Sequence, residues 1–582
     1  MGRFRGFFLF FLLSAGLSAG EATAGGFEEA DRLVTAPLVE AIDAVGGERP
    51  EDFRAFAQII ATRLFETPFG LSARRFLDGT PLDRAERFDL YRLLGVYIQT
   101  KYRHELIALL GELVAIPTDK KDGLAQHANP NIRRFGEAIE RIARDFGLGY
   151  RNHDERIFEV SLEGRRAESL GIYSHGDVVP ADPKKWRLED GTRLDPYRLT
   201  VIGERMYGRG SEDDKSAIAS ALLIMKVIRE EGFALDRTIR LFIETTEETG
   251  GSATEYLMER YELPPYNLVL DGTYPVGVAE KGFGVVRAEF PRREAGGSGP
   301  RILEVEGGLA VNQIPSQAVA VIAAAEPIEL KVRLDALAAR YVPEQGGDFR
   351  IESAAASDRL VVTVYGVSAH SSAPESGVNP VSRLFDFLHR ADREIGFQAN
   401  HFTDAAAYAA ENWGLDYLGA KLGIGYADDF MGPLTASVTY VKLDEDVLEL
   451  SVNTRAPRGK EPERLIAEIE RGLEAWRARS GVEFSLEIEQ ERYMYRDPKG
   501  PWIATLLDIY QGVTGREPTP ESSAGATTAR QLPNGVQFGL GLPDERYTGH
   551  NANEFKKIEN YLMDVQMITE MLLRLGNLPS ME

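Results

Sequence analysis

Five short polar motifs carry the residues that could do chemistry in this chain. The motif residues are His175 and Asp177, Asp213 and Asp214, Glu247 and Glu248, Asp271, and His550. Each motif alone is weak evidence, because two aspartates at the start of a helix are usually no more than a favourable N-terminal charge. Together they would crowd several carboxylates into one cleft, where mutual repulsion raises each pKa. Divalent cations remove that penalty, so the motifs predict a metal site.

The donor types narrow the choice of metal. The chain has no cysteine, and imidazole with carboxylate suits zinc and also admits cobalt or manganese. If two metals are each to gain three protein ligands from two histidines and three carboxylates, one carboxylate must bridge the metals. A coordination position left open for water is typical of a catalytic site. We therefore expect two Zn2+ per chain in a catalytic role, with Co2+ or Mn2+ as alternatives.

Alternating strands and helices must position these motifs. The pattern predicts, in chain order, strands near Ile157–Leu162 and Leu170–Ser174, a helix over Asp214–Glu231, a strand at Ile239–Glu244, a helix near Ala253–Tyr261 and a strand at Asn267–Leu270. Such alternation predicts an α/β fold with a mainly parallel sheet covered by helices. Ligands gather beyond the carboxyl ends of strands in open sheets, and the motif that begins at His175 follows such an end.

Composition divides the chain into five parts. We predict a signal peptide over residues 1–24, a helical N-terminal extension over 25–99, the first part of a catalytic domain over 100–282, an inserted α+β lid domain over 283–497 and the second part of the catalytic domain over 498–582. Apolar residues at three- and four-residue spacing indicate the helical extension. Alternation rich in β-branched residues, as in RLVVTVYGV, indicates the strands of the lid.

The first residues and the overall charge bear on location and partners. An apolar run from Phe7 to about Ala19 follows two arginines, and it is shorter than the roughly 20 residues that span a bilayer. Small residues come next, which is the layout of a cleavable secretory signal, with an uncleaved anchor as the alternative. We therefore expect a secreted or periplasmic protein with no membrane attachment in its mature form. The net charge of −23 argues against a nucleic-acid partner.

Five segments, taken in order, resemble the metal-binding motifs of the M20 metallopeptidases. The segments are HGDVVPAD, YGRGSEDDKSA, ETTEETGG, LDGTYPVGVAEKG and YTGHNANE. The resemblance is greatest to the dipeptidase branch of that family, which includes PepV-like and carnosinase-like enzymes, and it covers about residues 100–582. It implies a metal-dependent peptidase that takes a short peptide as its substrate. In this family a lid domain closes over the metals, which fits the inserted domain.

The resemblance also implies a division of the ligands between the two metals. His175 and Asp271 would bind one zinc, Glu248 and His550 would bind the other, and Asp213 would bridge both. Each metal would then have three protein ligands. The position left open on each metal would be available to water or substrate.

Two further carboxylates are implied beside the metals. Asp177 would hold the His175 ring in the tautomer that binds the metal, as is expected of a carboxylate two residues from a ligating histidine. Glu247 would be the general base, which takes a proton from the attacking water and passes it to the leaving amine. Both residues are therefore predicted to act in catalysis.

The lid is implied to supply substrate-binding residues. The segments GLAVNQIP, YGVSAHSSAPESGVNP and LSVNTRAP resemble those of the family. Asn312 and His370 would contact the carbonyl oxygen or the developing oxyanion. Arg455 would bind the substrate's free carboxylate, for which a planar, two-pronged donor is suited. Gly525 and Thr527 match a loop that lines the site.

The favoured function is hydrolysis of dipeptides or short peptides with a free C-terminal carboxylate. An aminoacylase or a carboxypeptidase-like amidase of the same superfamily is the second hypothesis, because it would use the same metals on a different amide. A binding protein without turnover is the third, and the filled base and ligand positions argue against it. The long lid favours a monomer and leaves a dimer through the helical extension open. The remaining histidines are assigned no chemistry: His104, His127, His153, His389 and His401.

Overall fold

The computed structural model describes residues 33–308, 310–525 and 527–582. The predicted signal peptide over residues 1–24 lies outside these ranges. The described chain divides into two compact units. The first unit comprises the described residues up to Val278 together with 496–521 and 527–582, and the second comprises Ala279–Tyr495 and the short segment that begins at Ser522.

The helices of the described residues are numbered here in chain order. They are α1 Ala36–Val45, α2 Phe53–Arg63, α3 Pro68–Leu77, α4 Arg84–Lys101, α5 Arg103–Val114, α6 Pro130–Asp145, α7 Lys215–Glu230, α8 Ser252–Arg260, α9 Pro327–Glu344, α10 Pro380–Ile395, α11 His401–Tyr408, α12 Pro462–Ser480, α13 Pro501–Thr514 and α14 Ile558–Gly576. Helices α9 to α12 lie in the second unit and the others in the first. None of the described helices is long and apolar enough to cross a membrane.

A sheet with parallel strands at its centre forms the core of the first unit. Six of its strands are β1 Gly149–His153, β2 Ile157–Leu162, β3 Ser169–His175, β4 Thr238–Glu244, β5 Asn267–Val269 and β6 Val536–Gln537. They lie side by side in the order β1-β2-β4-β3-β5-β6. The pairs β4-β3, β3-β5 and β5-β6 are parallel, whereas β1-β2 and β2-β4 are antiparallel. The predicted α/β class is confirmed, and the parallel arrangement holds at the centre of the sheet.

Burial explains why the central elements form where they do. Six of the seven residues of β3 are buried, as expected for a central strand covered on both faces. Helix α7 is buried on nearly all sides, from Lys215 through Met225, and α14 is buried along most of its length. A helix that is apolar all round belongs inside a large unit. Buried helices therefore cover the central part of the sheet, which includes β3.

The helices of the predicted N-terminal extension pack into the first unit. The Phe53 ring on α2 lies 5.1 Å from the Phe233 ring, centroid to centroid. On α4, the side-chain amide of Gln99 donates a hydrogen bond to Gln566 on α14, at 2.8 Å. Gly95 makes this approach possible, because a Cβ there would lie within 2.4 to 2.7 Å of the Gln566 side-chain amide. The extension is thus part of the core of this unit.

The second unit is built on an eight-stranded antiparallel sheet. In spatial order its strands are Arg350–Ala355, Arg359–Tyr365, Gln317–Ala323, Arg301–Gly307, Thr435–Asp444, Val447–Ala456, Gly282–Pro291 and Ser485–Gln490. Inward-facing apolar residues of these strands form one core with α9 to α12. Alternation along the strands, such as the buried Leu360, Val362 and Val364, follows the two-residue period of a sheet with one covered face.

Candidate metal centre

His175 ends the central strand β3 and is 2% exposed. Its Nδ1 lies 2.9 Å from the backbone carbonyl oxygen of Asp177, to which the ring N–H donates. This contact fixes the proton on Nδ1, so the lone pair of Nε2 is available to bind a metal. Nε2 lies 2.8 Å from Oδ1 of Asp213 and 3.8 Å from Oδ2 of Asp271. The parallel register accounts for this meeting, since Asp271 follows the neighbouring strand β5 by two residues.

Asp213 lies on a loop that a buried glutamate holds in place. Glu554 accepts hydrogen bonds from the backbone amides of Gly210, Glu212 and Asp213, at 3.0, 2.9 and 3.1 Å. The guanidinium of Arg209 lies 2.6 Å from the same carboxylate. The loop is brought there by strand Arg205–Tyr207, which pairs with Phe555–Lys557 in a small antiparallel sheet. Two segments that are far apart in sequence thus form one rigid wall.

The Asp213 carboxylate faces two imidazoles, one with each oxygen. Oδ1 lies 2.8 Å from Nε2 of His175, and Oδ2 lies 3.0 Å from Nε2 of His550. The same nitrogen of His550 lies 2.8 Å from Oε1 of Glu248. His550 itself has a left-handed backbone, with φ of 63°, which is uncommon for a residue other than glycine. The two oxygens of Asp213 thus face two different imidazoles, as is required of a carboxylate that bridges two metals.

Three groups of ligand atoms in the described residues are close enough to hold a metal ion, with all ligand atoms in each group within 4.8 Å of one another. The groups are His175 with Asp213 and Asp271, His175 with Glu247 and Glu248, and Asp213 with Glu248 and His550. The first and third groups share only Asp213 and match the two predicted ligand sets. The imidazole and carboxylate donors suit zinc. The predicted ligands are therefore brought together, while their individual roles stay predictions.

The two glutamates lie on a short 3-10 turn, Glu247–Thr249, directly beyond β4. The Asp177 carboxylate fixes this turn, because it accepts the backbone amides of Glu247 and Glu248, both at 3.2 Å. The predicted role of Asp177 in orienting the His175 ring stays a prediction. Its Oδ1 is 3.6 Å from Nδ1 of His175, and its backbone carbonyl oxygen lies closer to that nitrogen, at 2.9 Å. The carboxylate is already engaged by the two amides of the turn.

Burial and mutual repulsion raise the pKa values of three carboxylates in this cluster. Burial raises the pKa of Asp271 to about 6 and that of Glu248 to about 7. Burial and the Asp271 carboxylate hold the pKa of Glu247 well above its ordinary value. Glu247 and Glu248 therefore hold protons near neutral pH, and Asp271 does so at slightly acidic pH, unless positive charge is supplied. Divalent cations supply that charge and displace the protons.

Asp213 behaves differently because both imidazoles face it. Burial opposes its ionisation, but hydrogen bonds to His175 and His550 hold the pKa of Asp213 well below its ordinary value. In return, although burial favours neutral rings, the carboxylates raise the pKa of His175, and they raise that of His550 to about 10. Asp213 is thus the most strongly anionic point of the cluster.

Sequence reasoning gave no role to four residues that support the centre. Tyr547 donates its hydroxyl hydrogen bond to Oδ2 of Asp213. Glu212 accepts the backbone amides of Thr548 and Gly549, at 2.6 and 2.9 Å. The other two are Glu554, described above, and Asp214, whose buried carboxylate accepts the Ser174 hydroxyl at 2.6 Å. All four lie inside motifs that the sequence analysis had singled out. The presence of further carboxyl and phenol groups in those motifs was the signal that could have identified them.

The second unit brings three of the predicted substrate-binding residues into one neighbourhood. Strand Ala369–His370 pairs with Gln313–Ile314, which sets His370 beside the segment that carries Asn312. Burial and the charge of Arg455 lower the pKa of His370 to about 4. The Arg455 guanidinium donates to Oδ1 of Asn453 at 3.2 Å and to the Ala524 carbonyl at 3.1 Å. His370 is therefore a neutral ring beside a fixed guanidinium.

The last two predicted residues have structural contacts of their own. The Gly525 amide donates to the Ser523 hydroxyl at 2.9 Å, within the short segment that belongs to the second unit. Thr527 belongs to the first unit, where its hydroxyl accepts the Ala529 amide at 3.1 Å and caps a 3-10 turn. Their part in substrate binding stays a prediction.

The chain matches the model of the peptidase family M20/M25/M40 over residues 171–574. It therefore belongs to this family and is a peptidase. The predicted family membership and enzyme class are confirmed. The match includes all of the cluster residues.

Two curated relatives are similar over most of the chain. A Beta-Ala-Xaa dipeptidase of Lactobacillus delbrueckii subsp. lactis is 28% identical over 475 residues, which are 80% of this chain and 95% of that protein. The putative dipeptidase YtjP of Bacillus subtilis strain 168 is 26% identical over 416 residues, or 71% of this chain and 84% of that protein. The aminoacylhistidine dipeptidase of Vibrio alginolyticus has a similar fold, with a TM-score of 0.50, 16% identity, and coverage of 81% of this chain and 96% of that chain.

Proposed function

We propose that this peptidase is a two-zinc dipeptidase that acts outside the cytoplasm. The observation that carries the proposal is the position of Asp213, whose two oxygens face His175 and His550. Each imidazole is also close enough to a second carboxylate to share a metal ion with it. Similarity to curated dipeptidases over 71% to 80% of the chain supports the choice of substrate. The predicted signal layout of the first residues supports the location.

The proposed ligand sets are those that share Asp213. His175 and Asp271 would hold one zinc, and Glu248 and His550 would hold the other. When bound, the pair of cations supplies Lewis-acid polarisation of the scissile carbonyl and acidifies the attacking water. Charge balance supports this assignment, because the raised pKa values of Glu248 and Asp271 reflect carboxylates in need of positive charge.

Glu247 is the proposed general base. Its carboxylate belongs to the same cluster of ligand atoms as His175 and Glu248 but is not needed for either proposed ligand set. It takes one proton from water as the oxygen attacks the carbonyl carbon, and it delivers that proton to the amine as the C–N bond breaks. Between these two proton transfers, burial stabilises the protonated form of Glu247. Asp177 keeps the carboxylate in place through the backbone of the turn.

Arg455 is the proposed partner of the substrate's free carboxylate. Contacts to Asn453 and to the Ala524 carbonyl fix its guanidinium, which also lies over the Phe283 ring, 4.9 Å from its centroid. A guanidinium held in this way loses little freedom when it binds a carboxylate with two parallel hydrogen bonds. Asn312 and His370 are proposed to contact the carbonyl oxygen or the oxyanion that develops from it.

A substrate panel tests the proposed function. We expect the purified protein, loaded with zinc, to cleave dipeptides with a free carboxylate and to leave N-acyl amino acids nearly untouched. Faster cleavage of N-acyl amino acids would instead identify an aminoacylase.

The Arg455→Lys variant tests the carboxylate contact. It should lower kcat/KM for dipeptides about 10- to 100-fold, because a hydrogen bond to a charged group contributes about 1.5–3 kcal/mol. The matched control is Arg458→Lys, since Arg458 pairs with Asp428 at 2.9 Å. The control should retain wild-type kcat/KM, and an equal loss in both variants would contradict the role given to Arg455.

A further inference from the structure

Two side chains from the segment around His550 contact the Asp213 carboxylate in the described part of the chain. One is His550 itself and the other is Tyr547. Its phenol O–H donates to Oδ2 of Asp213. That oxygen also lies 3.0 Å from Nε2 of His550, whereas Oδ1 lies 2.8 Å from His175. The phenol therefore acts on the oxygen that faces the second imidazole.

The local backbone is shaped to admit this phenol. A Cβ at Gly549 would lie 2.2 Å from the Tyr547 hydroxyl oxygen and 2.3 Å from Cζ of the ring. Such distances are far inside van der Waals contact, so any larger residue at position 549 would displace the ring. The segment is fixed on its other side by the backbone amides of Thr548 and Gly549, which donate to Glu212. The position of the phenol is thus determined by the chain around it.

We propose that Tyr547 is a positioning residue that fixes the Asp213 carboxylate as a bridge and thereby sets the affinity for the second cation, the one at Glu248 and His550. The inference rests on the proposed two-cation function. It goes beyond that function because it names a side chain outside both ligand sets that sets the affinity of one cation position and not of the other.

The torsion that turns an aspartate carboxylate is soft, so a bridge needs a partner that holds the plane. Nε2 of His175 faces Oδ1 and Nε2 of His550 faces Oδ2, and both nitrogens are needed for the cations. The phenol contacts Oδ2 alone. Loss of the phenol should therefore weaken the second position and leave the first nearly unchanged.

The magnitude follows from other metal sites. Hydrogen-bond partners that orient metal ligands typically change metal affinity by about 10- to 100-fold when they are removed. We expect a change of this size in the Kd of the second cation for Tyr547→Phe. Gly549→Ala should weaken the same cation without altering any hydrogen-bonding group, because its Cβ displaces the ring.

Thr548→Val is the matched control. It also removes one hydroxyl from the same segment, and that hydroxyl donates to Glu212 rather than to Asp213. If the segment merely needs to be held together, this variant should weaken cation binding as much as Tyr547→Phe does. If the phenol acts on the bridge, the Kd values of both cations should stay within about threefold of wild type in Thr548→Val.

The experiment is a zinc titration of the metal-stripped full chain, in which calorimetry measures the binding. The unfolding midpoint of each stripped variant shows whether the variant is folded. Wild type should bind two cations. A second-cation Kd raised 10- to 100-fold in Tyr547→Phe and in Gly549→Ala, but not in Thr548→Val, supports the inference. Unchanged binding in both variants, or equal loss in all three, overturns it. Fewer than two cations in wild type would refute the proposed two-cation function itself.

Discussion

Two buried clusters in the first unit combine carboxylate with imidazole, and they differ in their source of positive charge. The edge cluster comprises Glu159, His153 and Arg240. Glu159 Oε1 lies 2.7 Å from Nε of Arg240, and its Oε2 lies 2.8 Å from Nε2 of His153. Burial opposes ionisation of Glu159, but these partners lower its pKa to about 2. The edge cluster is therefore neutralised by the protein's own arginine.

The metal centre has the same donor types without the arginine. In the described part of the chain, no recorded ion pair joins a lysine or arginine to Asp213, Glu247, Glu248 or Asp271. The pKa of Glu248 is accordingly raised to about 7 by burial and by Asp213, in the opposite direction from that of Glu159. Within the described residues, the basic partners of these carboxylates are the imidazoles of His175 and His550, which can bind a metal only when they are deprotonated. This difference is the physical argument for bound cations at one cluster and not at the other.

The largest expected effect tests whether Glu247 acts as the base rather than as a ligand. Glu247→Gln should lower kcat by at least about 10²- to 10⁴-fold, because removal of a general base typically costs that much. Metal content should stay at the wild-type level, since neither proposed ligand set includes Glu247. Steady-state kinetics and elemental analysis of the same sample measure both quantities. Wild-type activity in this variant would refute the assignment.

The next effect tests the edge cluster. Arg240→Met leaves Glu159 buried without its guanidinium and should lower the free energy of unfolding by about 3–5 kcal/mol. Urea denaturation measures this change, and added zinc should not restore the loss. The matched control is Arg260→Met, because Arg260 pairs with Glu259 at the surface and exposed pairs contribute about 0–1 kcal/mol. Full rescue by zinc would show that the edge cluster also accepts a cation.

The smallest expected effect is a difference in pH dependence between the metal centre and the edge cluster. Cation affinity at the metal centre should fall as pH drops from 8 to 5, by up to about tenfold per pH unit for each proton displaced, because Glu248 and Asp271 take up protons with pKa values of about 7 and 6. Zinc titrations at several pH values measure this slope. A slope that is the same at pH 8 and at pH 5 would mean that these carboxylates do not bind the cations, because the His550 imidazole, with a pKa of about 10, contributes a constant slope over this range.

The edge cluster should show no such change in that range. The folded pKa of Glu159 is lowered to about 2, so its contribution to stability is fully present above the unfolded pKa of roughly 4.3 and is lost as pH falls toward 2. Urea denaturation of the chelated protein measures it. The difference in unfolding free energy between wild type and Glu159→Gln should be constant from pH 8 to 6 and should shrink below pH 4.

The sequence predicts the central strands and the motifs well, because both depend on local pattern. Apolar runs set the bounds of β2, β3 and β4 to within two residues, and polar residues directly beyond such strands mark His175. By contrast, His153 also lies at the end of a strand but outside the five motifs, and its pairing with Glu159 could not be predicted from local pattern. Arg240, which lies on a neighbouring strand, completes the edge cluster.

The supporting contacts of the centre could not be predicted for a related reason. Glu554 holds the Asp213 loop only because strand Phe555–Lys557 pairs with Arg205–Tyr207, some 350 positions away in the chain. The same pairing brings Tyr547 to Asp213. Sequence spacing carries no information about such a pairing.

The count of bound cations tests the central claim most directly. The full chain should be stripped with a chelator, dialysed against zinc and measured by elemental analysis, with His175→Ala and His550→Ala in parallel. We expect two zinc ions per wild-type chain, and loss of a different one of the two in each variant. One zinc or none in wild type would contradict the claim that the carboxylates and imidazoles around Asp213 form a two-cation centre.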